Sequence, residues 1–242
     1  MSTPTTNVRA GINARTIVWL QGLAGLAGFA ALLEILPRSG LISPLYLPPF
    51  STIVVALFKE MMSAEFWSAL DDTLEAWAIG LVISVIAGVV IGIAIGSSNA
   101  LRTLTHSTIE FLRPIPSVAL IPLAVLLFGS QIQSTLVLVV YASFWPVLIQ
   151  VLYGVQDVDP VARAPARSSD LGSWEQIRYV VWPTTLPYLL TGIRLAAAVA
   201  LILAITSEVA IDTQGLGKQI ADTESGGAVA AMYAYVIVAG II

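Results

Sequence analysis

Polar and apolar positions in this chain are gathered into long blocks rather than interleaved. Among the runs without a charged side chain are Thr16–Leu33 with 18 residues, Ala76–Leu101 with 26, Pro114–Gln156 with 43 and Ser225–Ile242 with 18. A helix rises about 1.5 Å per residue and the hydrocarbon core of a bilayer is about 30 Å thick, so about 20 residues cross it once. The run of 43 is therefore two crossings, with Gly129-Ser130-Gln131-Ile132-Gln133-Ser134 as the turn. A further crossing, 184–207, is interrupted only by Arg194. The pattern predicts an all-α, polytopic membrane bundle of about six transmembrane helices in one domain over 1–242. The spans fall near 16–36, 74–98, 104–128, 133–153, 184–207 and 226 to the end.

Composition supports this reading. Hydrophobic residues make up 57% and charged residues 11% of the chain, against about 25% charged in soluble domains; the mean hydropathy is +0.88. There is no cysteine and one histidine, His106, so thiolate zinc sites, disulfide frameworks and paired-histidine proteases are excluded. A net charge of −4 excludes a basic nucleic-acid footprint. Arg9 and Arg15 precede the first run as they would in a signal peptide, but no sharp cleavage site follows, which favours an uncleaved helix.

Basic residues set the orientation. Arg9, Arg15, Arg102, Arg113, Arg163, Arg167 and Arg178 fall on one side of the spans, and Arg38, Lys59 and Lys218 on the other. Both termini, the tail 1–15 and the loop 154–183 are then cytoplasmic, while 37–73 and 208–225 are external loops. The last run reaches Ile242 with no basic cap, from which a truncated final helix is expected.

Three local patterns bear on function. Gly80, Ser84, Gly88, Gly92 and Gly96 recur every fourth residue, a small-residue stripe that lets another helix approach closely, first of all within the subunit. Pro114, Pro116 and Pro122 break the third span and Trp145-Pro146 the fourth; the freed carbonyls need neighbours or a watered cavity, so a pathway between the two kinks is expected. Tyr141, Ser143, Gln150 and Ser207 are the polar side chains singled out for it, although interhelical hydrogen bonding would explain each equally well. The loop 154–183 is too long for a plain connection. Asp159-Pro160 starts one helix, and Ser173 with Gln176 has the spacing of a capping box for a second. Trp174, Ile177 and Val181 form one face of that second helix, which should end by Trp182, before Pro183. Such a helix can lie on the membrane or dock in a groove of a soluble partner.

At this loop the chain resembles the permease subunits of bacterial binding-protein-dependent ABC importers, in the branch handling nitrate, taurine and aliphatic sulfonates. The family signature, Glu-Ala-Ala, three residues, Gly, nine residues, Ile, one residue, Leu-Pro, reads here Ala164-Pro165-Ala166, Asp170, Val180 and Trp182-Pro183. Phe111–Leu123, Gly154–Pro160, Thr184–Ala196 and Gly215-Leu216-Gly217 are similar too. The resemblance implies a homo- or heterodimer of permeases in the inner membrane, two cytoplasmic ATPase subunits and an external solute-binding protein. It also implies a coupling helix docked on the ATPase through Ala164, Pro165, Ala166, Arg167, Asp170, Gly172, Trp174, Ile177, Val180 and Pro183. No cofactor is expected in this chain, since ATP and magnesium would sit on the partner subunits, and Gly217-Lys218-Gln219 lacks the upstream glycine of a phosphate loop. Pro165 and Asp170 depart from the signature and are expected to weaken coupling. The competing function is a secondary transporter or channel, which would place ionisable groups at mid-membrane; Glu34, Arg194 and Glu208 all lie near span ends.

Overall fold

A computed structural model of the chain describes residues 9–158, 175 and 177–242, with side chains from residue 17 onward and of Val180 only the backbone. Among them are nine α-helices and no strand: α1 (Arg9–Arg38), α2 (Phe50–Met61), α3 (Ala64–Ser97), α4 (Asn99–Leu112), α5 (Ile121–Phe128), α6 (Ile132–Gln156), α7 (Trp182–Ile211), α8 (Leu216–Ser225) and α9 (Val229–Ile241). A 3₁₀ turn, Ser117–Leu120, leads into α5, and a π-helical turn, Ile177–Val181, into α7. The helices fall into two compact units, Met1–Ser63 with Thr223–Ile242, and Ala64–Asp222.

Four helices are long and apolar enough to cross a membrane: Ile17–Arg38, Ala64–Ser97, Ile132–Gln156 and Trp182–Ile211. The other two expected spans take different forms. α9 has 13 residues. The third expected span, 104–128, is two pieces bent by 82° between α4 and Ser117–Phe128. The reason lies in Arg113-Pro114-Ile115-Pro116: neither proline has an amide proton to continue the helical ladder, so α4 ends after a still-helical Arg113 and the chain is extended at Pro116. α3 starts at Ala64, ten residues before the expected span, because charged residues such as Asp71 and Asp72 suit a helix that continues beyond lipid. The stretch 37–73, expected as a loop, thus contains α2 and the start of α3. Similarly, 208–225 is occupied by the end of α7 and by α8.

The larger unit is organised on α6. The small-residue stripe of α3 lies against it with a constant offset: Gly80 meets Val139, Gly88 meets Val147, Gly92 meets Val151 and Gly96 meets Val155, while Ser143 donates to Ser84 at 2.7 Å. Partners that rise together in number mean parallel helices. A methyl group on Gly88 or Gly92 would stand 2.7 Å from a valine Cγ1, so only glycine permits this approach. The stripe is packing within the subunit, as its spacing suggested.

On the other flank α7 runs antiparallel to α6, with Gly154 against Thr185 and Gly192 against Val147. Val147, Val151, Val155, Val158, Val181, Leu189 and Ala196 form one buried cluster there. At about 25 cal/mol per Å² of apolar surface, each such side chain contributes about 1.5–3 kcal/mol relative to exposure to water. The register also explains the bent segment. The C-terminus of α3 lies level with that of α6, so the chain between them must travel about 35 Å back along the axis to begin α6. α4, the 3₁₀ turn and α5 make that return; together they are a broken crossing.

In the smaller unit, the Glu34 carboxylate near the end of α1 accepts from Ser51 N at 2.8 Å and Ser51 Oγ at 2.9 Å, fastening α1 to the first turn of α2. Tyr235 of α9 donates to Glu60 of α2 at 3.1 Å, and Tyr233 donates to the Tyr46 carbonyl at 3.0 Å.

Candidate functional site

The broken crossing and the Pro146 region of α6 meet at one cavity. Arg113 at the end of α4, Ser117 of the 3₁₀ turn, Trp145 and Gln150 of α6 and Leu195 and Val199 of α7 line a space of about 310 Å³. Pro146 is in its wall, one helical turn past Ala142, and has no N–H for the Ala142 carbonyl. A larger cavity of about 970 Å³ lies beyond, lined by Arg102, His106, Glu110, Tyr153 and Gln156 among others. Arg113 and Ile149 belong to the walls of both. α6 runs unbroken through Pro146, so the break expected there is absent and only the α4–α5 crossing is interrupted; two cavities sharing an arginine at that break is the geometry expected of a pathway.

The four polar residues singled out for that pathway separate. Gln150 lines the smaller cavity. Tyr141 borders the break, donating to the Leu112 carbonyl at 2.8 Å and meeting Trp145 edge-on, ring centres 5.8 Å apart. Ser143 is fully buried and donates to Ser84 Oγ and the Val139 carbonyl. Ser207, also fully buried, donates to the Ala204 carbonyl at 2.9 Å. The last two are engaged in helix packing. Sequence reasoning missed Arg113, Ser117 and Trp145 as cavity residues, although Arg113 directly precedes the first breaking proline. The Trp145 indole N–H is buried and donates to nothing among the described residues, which costs about 1–3 kcal/mol.

A second polar cluster sits at the other end of α7. Glu208 is 1% exposed. Its Oε2 accepts from Thr73 Oγ1 and from Gly217 N, each at 2.9 Å, while Leu216 N donates to Thr73 Oγ1 at 2.8 Å. The carboxylate thus supplies partners for the opening of α8, whose first amides have none inside the helix. Gly215 has φ +145, and a side chain there would collide with the Glu208 carboxyl. Gly-Leu-Gly seven residues after Glu208 is the sequence signal for this latch.

At the coupling region the structure describes the stem of the loop. Tyr188 donates to Asp157 Oδ2 at 2.8 Å, and Val158 and Val181 are buried in the same cluster, so both ends of the loop are held at one place. Ile177 lies in the π turn, half-buried, and Pro183 is exposed in the first turn of α7. The helix does not stop before Pro183 as expected. It passes from the π turn directly into α7, because a proline in a first helical turn gives up an amide that would have no partner anyway. Ala164, Pro165, Ala166, Arg167, Asp170, Gly172 and Trp174 lie outside the described residues, and of Val180 the side chain does.

Residues 84–242 match the family model described as "Binding-protein-dependent transport system inner membrane component". The chain belongs to that family. Among its relatives, SsuC of Bacillus subtilis, a candidate aliphatic sulfonates transport permease protein, is 28% identical over 244 residues, covering 100% of this chain and 88% of the relative. The taurine transport system permease protein TauC of Escherichia coli is 33% identical over 185 residues, covering 74% and 67%. The nitrate import permease protein NrtB of Leptolyngbya laminosa is 25% identical over 177 residues, covering 73% and 63%. This chain is thus a permease component of a multi-pass, membrane-embedded importer, a class that works with ATPase and binding-protein partners. The matched region holds the broken crossing, Pro146, the stem of the loop and the Glu208 latch except for Thr73.

Proposed function

We propose that this permease forms the translocation pathway of an ATP-driven importer for a small oxyanionic solute, such as a sulfonate, taurine or nitrate, handed over by an external binding protein. It pairs with a second permease copy or a close relative, and two cytoplasmic ATPase subunits hold ATP and magnesium. The chain sits in the inner membrane with both termini cytoplasmic. The loop between α6 and α7 docks on the ATPase, with Trp174 and Ile177 as apolar anchors. The observation that carries the reading is the cavity where the broken crossing faces the Pro146 region of α6, within the region that matches the family. Pathway residues are the donors on that cavity, with Gln150 foremost among those expected.

The test is reconstitution of the permease in proteoliposomes with its ATPase subunits and loaded binding protein inside and outside respectively. Uptake should require all three and ATP, and the permease alone should neither hydrolyse ATP nor move solute. Uptake by the permease alone, driven by an ion gradient, would instead establish a secondary transporter.

A further inference from the structure

We propose that the permease itself holds its solute at a defined oxyanion site, made by Arg113, Ser117 and Gln150 in the cavity between the broken crossing and the Pro146 region of α6. The inference rests on the importer reading for its solute class and goes beyond it by placing recognition inside this chain rather than only on the external binding protein.

Three observations converge. First, the donors come from three separate elements, the end of α4, the 3₁₀ turn and α6, and all line one space of about 310 Å³, enough for a small sulfonate or nitrate with some water. Second, the charge is available. Arg113 makes no ion pair with a carboxylate among the described residues, whereas Arg38 is paired with Glu34 and Lys218 with Asp212. The nearby acid on the larger cavity, Glu110, is already opposite His106 at 3.5 Å. A guanidinium offers a planar fork of N–H groups that matches two oxygens of an oxyanion at once. Third, the wall carries an unmet donor, the Trp145 indole N–H, beside Gln150 and Pro146.

The apolar side of the same cavity is α7, through Leu195 and Val199, which suits the alkyl part of a sulfonate. Arg113 stands between this cavity and the larger one, so an anion held by it has a next compartment on the far side. A simpler role for Arg113 exists. A cation at the C-terminal end of α4 is favourable to the helix dipole and marks the cytoplasmic side. That role predicts effects on stability and topology but none on anion affinity.

The experiment is calorimetric titration of ethanesulfonate, nitrate and the neutral analogue dimethyl sulfone into the assembled permease–ATPase complex, without binding protein, in nanodiscs of phosphatidylcholine. The two anions should bind and dimethyl sulfone should not. Arg113→Gln should weaken anion binding about tenfold or more, Gln150→Leu severalfold, and Arg113→Lys should recover part of the loss, since charge returns without the fork. Thermal unfolding of each variant reports the capping role separately. The proposal is overturned by three results: no binding to the wild-type complex, affinities that Arg113→Gln leaves unchanged, or binding that phosphatidylglycerol in the nanodisc competes away through Arg113, which would assign the arginine to a lipid headgroup. Each of these leaves the importer reading standing, because that reading fails only if uptake in the full system does not need ATP and the binding protein.

Discussion

Tyr141 donates its hydroxyl proton to the carbonyl of Leu112 at 2.8 Å, and so ties α6 to the last turn of α4 where the chain bends. Pro116 has no N–H to offer that carbonyl, which among the described residues accepts besides only from the Ile115 amide at 3.2 Å, and in a membrane it has few other partners. Tyr141→Phe should therefore lower stability by about 1 kcal/mol while keeping the edge-on ring contact with Trp145. Thermal unfolding in detergent checks this, and an unchanged midpoint would mean that water already serves the Leu112 carbonyl.

The glycines of α3 give a sharper contrast. Gly92→Val should destabilise by about 1–3 kcal/mol, the usual effect of overfilling a packed interface, because its side chain would meet Val151. Gly25→Val in α1, where nothing lies within 4 Å of the added carbon, should be nearly neutral. Equal midpoints for the two variants would show that α3 and α6 separate readily.

The Glu208 latch predicts an ordered series. Thr73→Val removes both the donor to Glu208 and the acceptor for Leu216 N, and should cost about 1–3 kcal/mol as buried groups lose partners. Glu208→Gln keeps an oxygen for Gly217 N and should be milder. Gly217→Ala, crowding Glu208 Cβ at 2.6 Å, should be at least as damaging as Thr73→Val. Urea or heat unfolding of the three variants fixes the order, and a Glu208→Gln variant worse than Thr73→Val would refute the latch as described.

Much of this architecture could be read from the residues, and the exceptions have definite causes. Uncharged runs located three of the four long crossings, and the fourth was interrupted only by Arg194, because lipid admits few charges; the four-residue glycine repeat foretold a close helix contact. The extension of α3 back to Ala64 was hidden, since a helix leaving the bilayer may carry Glu65, Asp71, Asp72 and Glu75 without penalty. The bend at Pro114 and Pro116 was visible as a kink, yet its size depends on the register that α6 imposes. Of the polar residues, Gln150 and Ser143 look alike in sequence. Only packing shows that one lines a cavity while the other faces Ser84 across an interface.

Coupling is expected to depend on Trp174 and Ile177. Truncating an apolar anchor at a small docking site costs about 2 kcal/mol or more, so Trp174→Ala should reduce copurification of the ATPase. The double change Pro165→Ala with Asp170→Gly should raise solute-stimulated ATP hydrolysis, since it brings back the alanine and glycine of the family signature, residue types that suit a helix and a turn. Copurification that survives Trp174→Ala would place that face against lipid headgroups.

The constant offset between α3 and α6 leaves a degeneracy. Four of its five rungs set glycine against valine, so sliding one helix by four residues would still set Gly88 and Gly92 against valines, now Val151 and Val155. Such a slip would leave steric fit almost unpunished in the middle of the interface. The rung that cannot be exchanged is Ser84 with Ser143, where the shared 2.7 Å bond would be lost and two hydroxyls would each face a partner of the wrong kind. This single polar pair therefore acts as the index mark that sets helix registration, much as one buried polar residue sets alignment in a coiled coil.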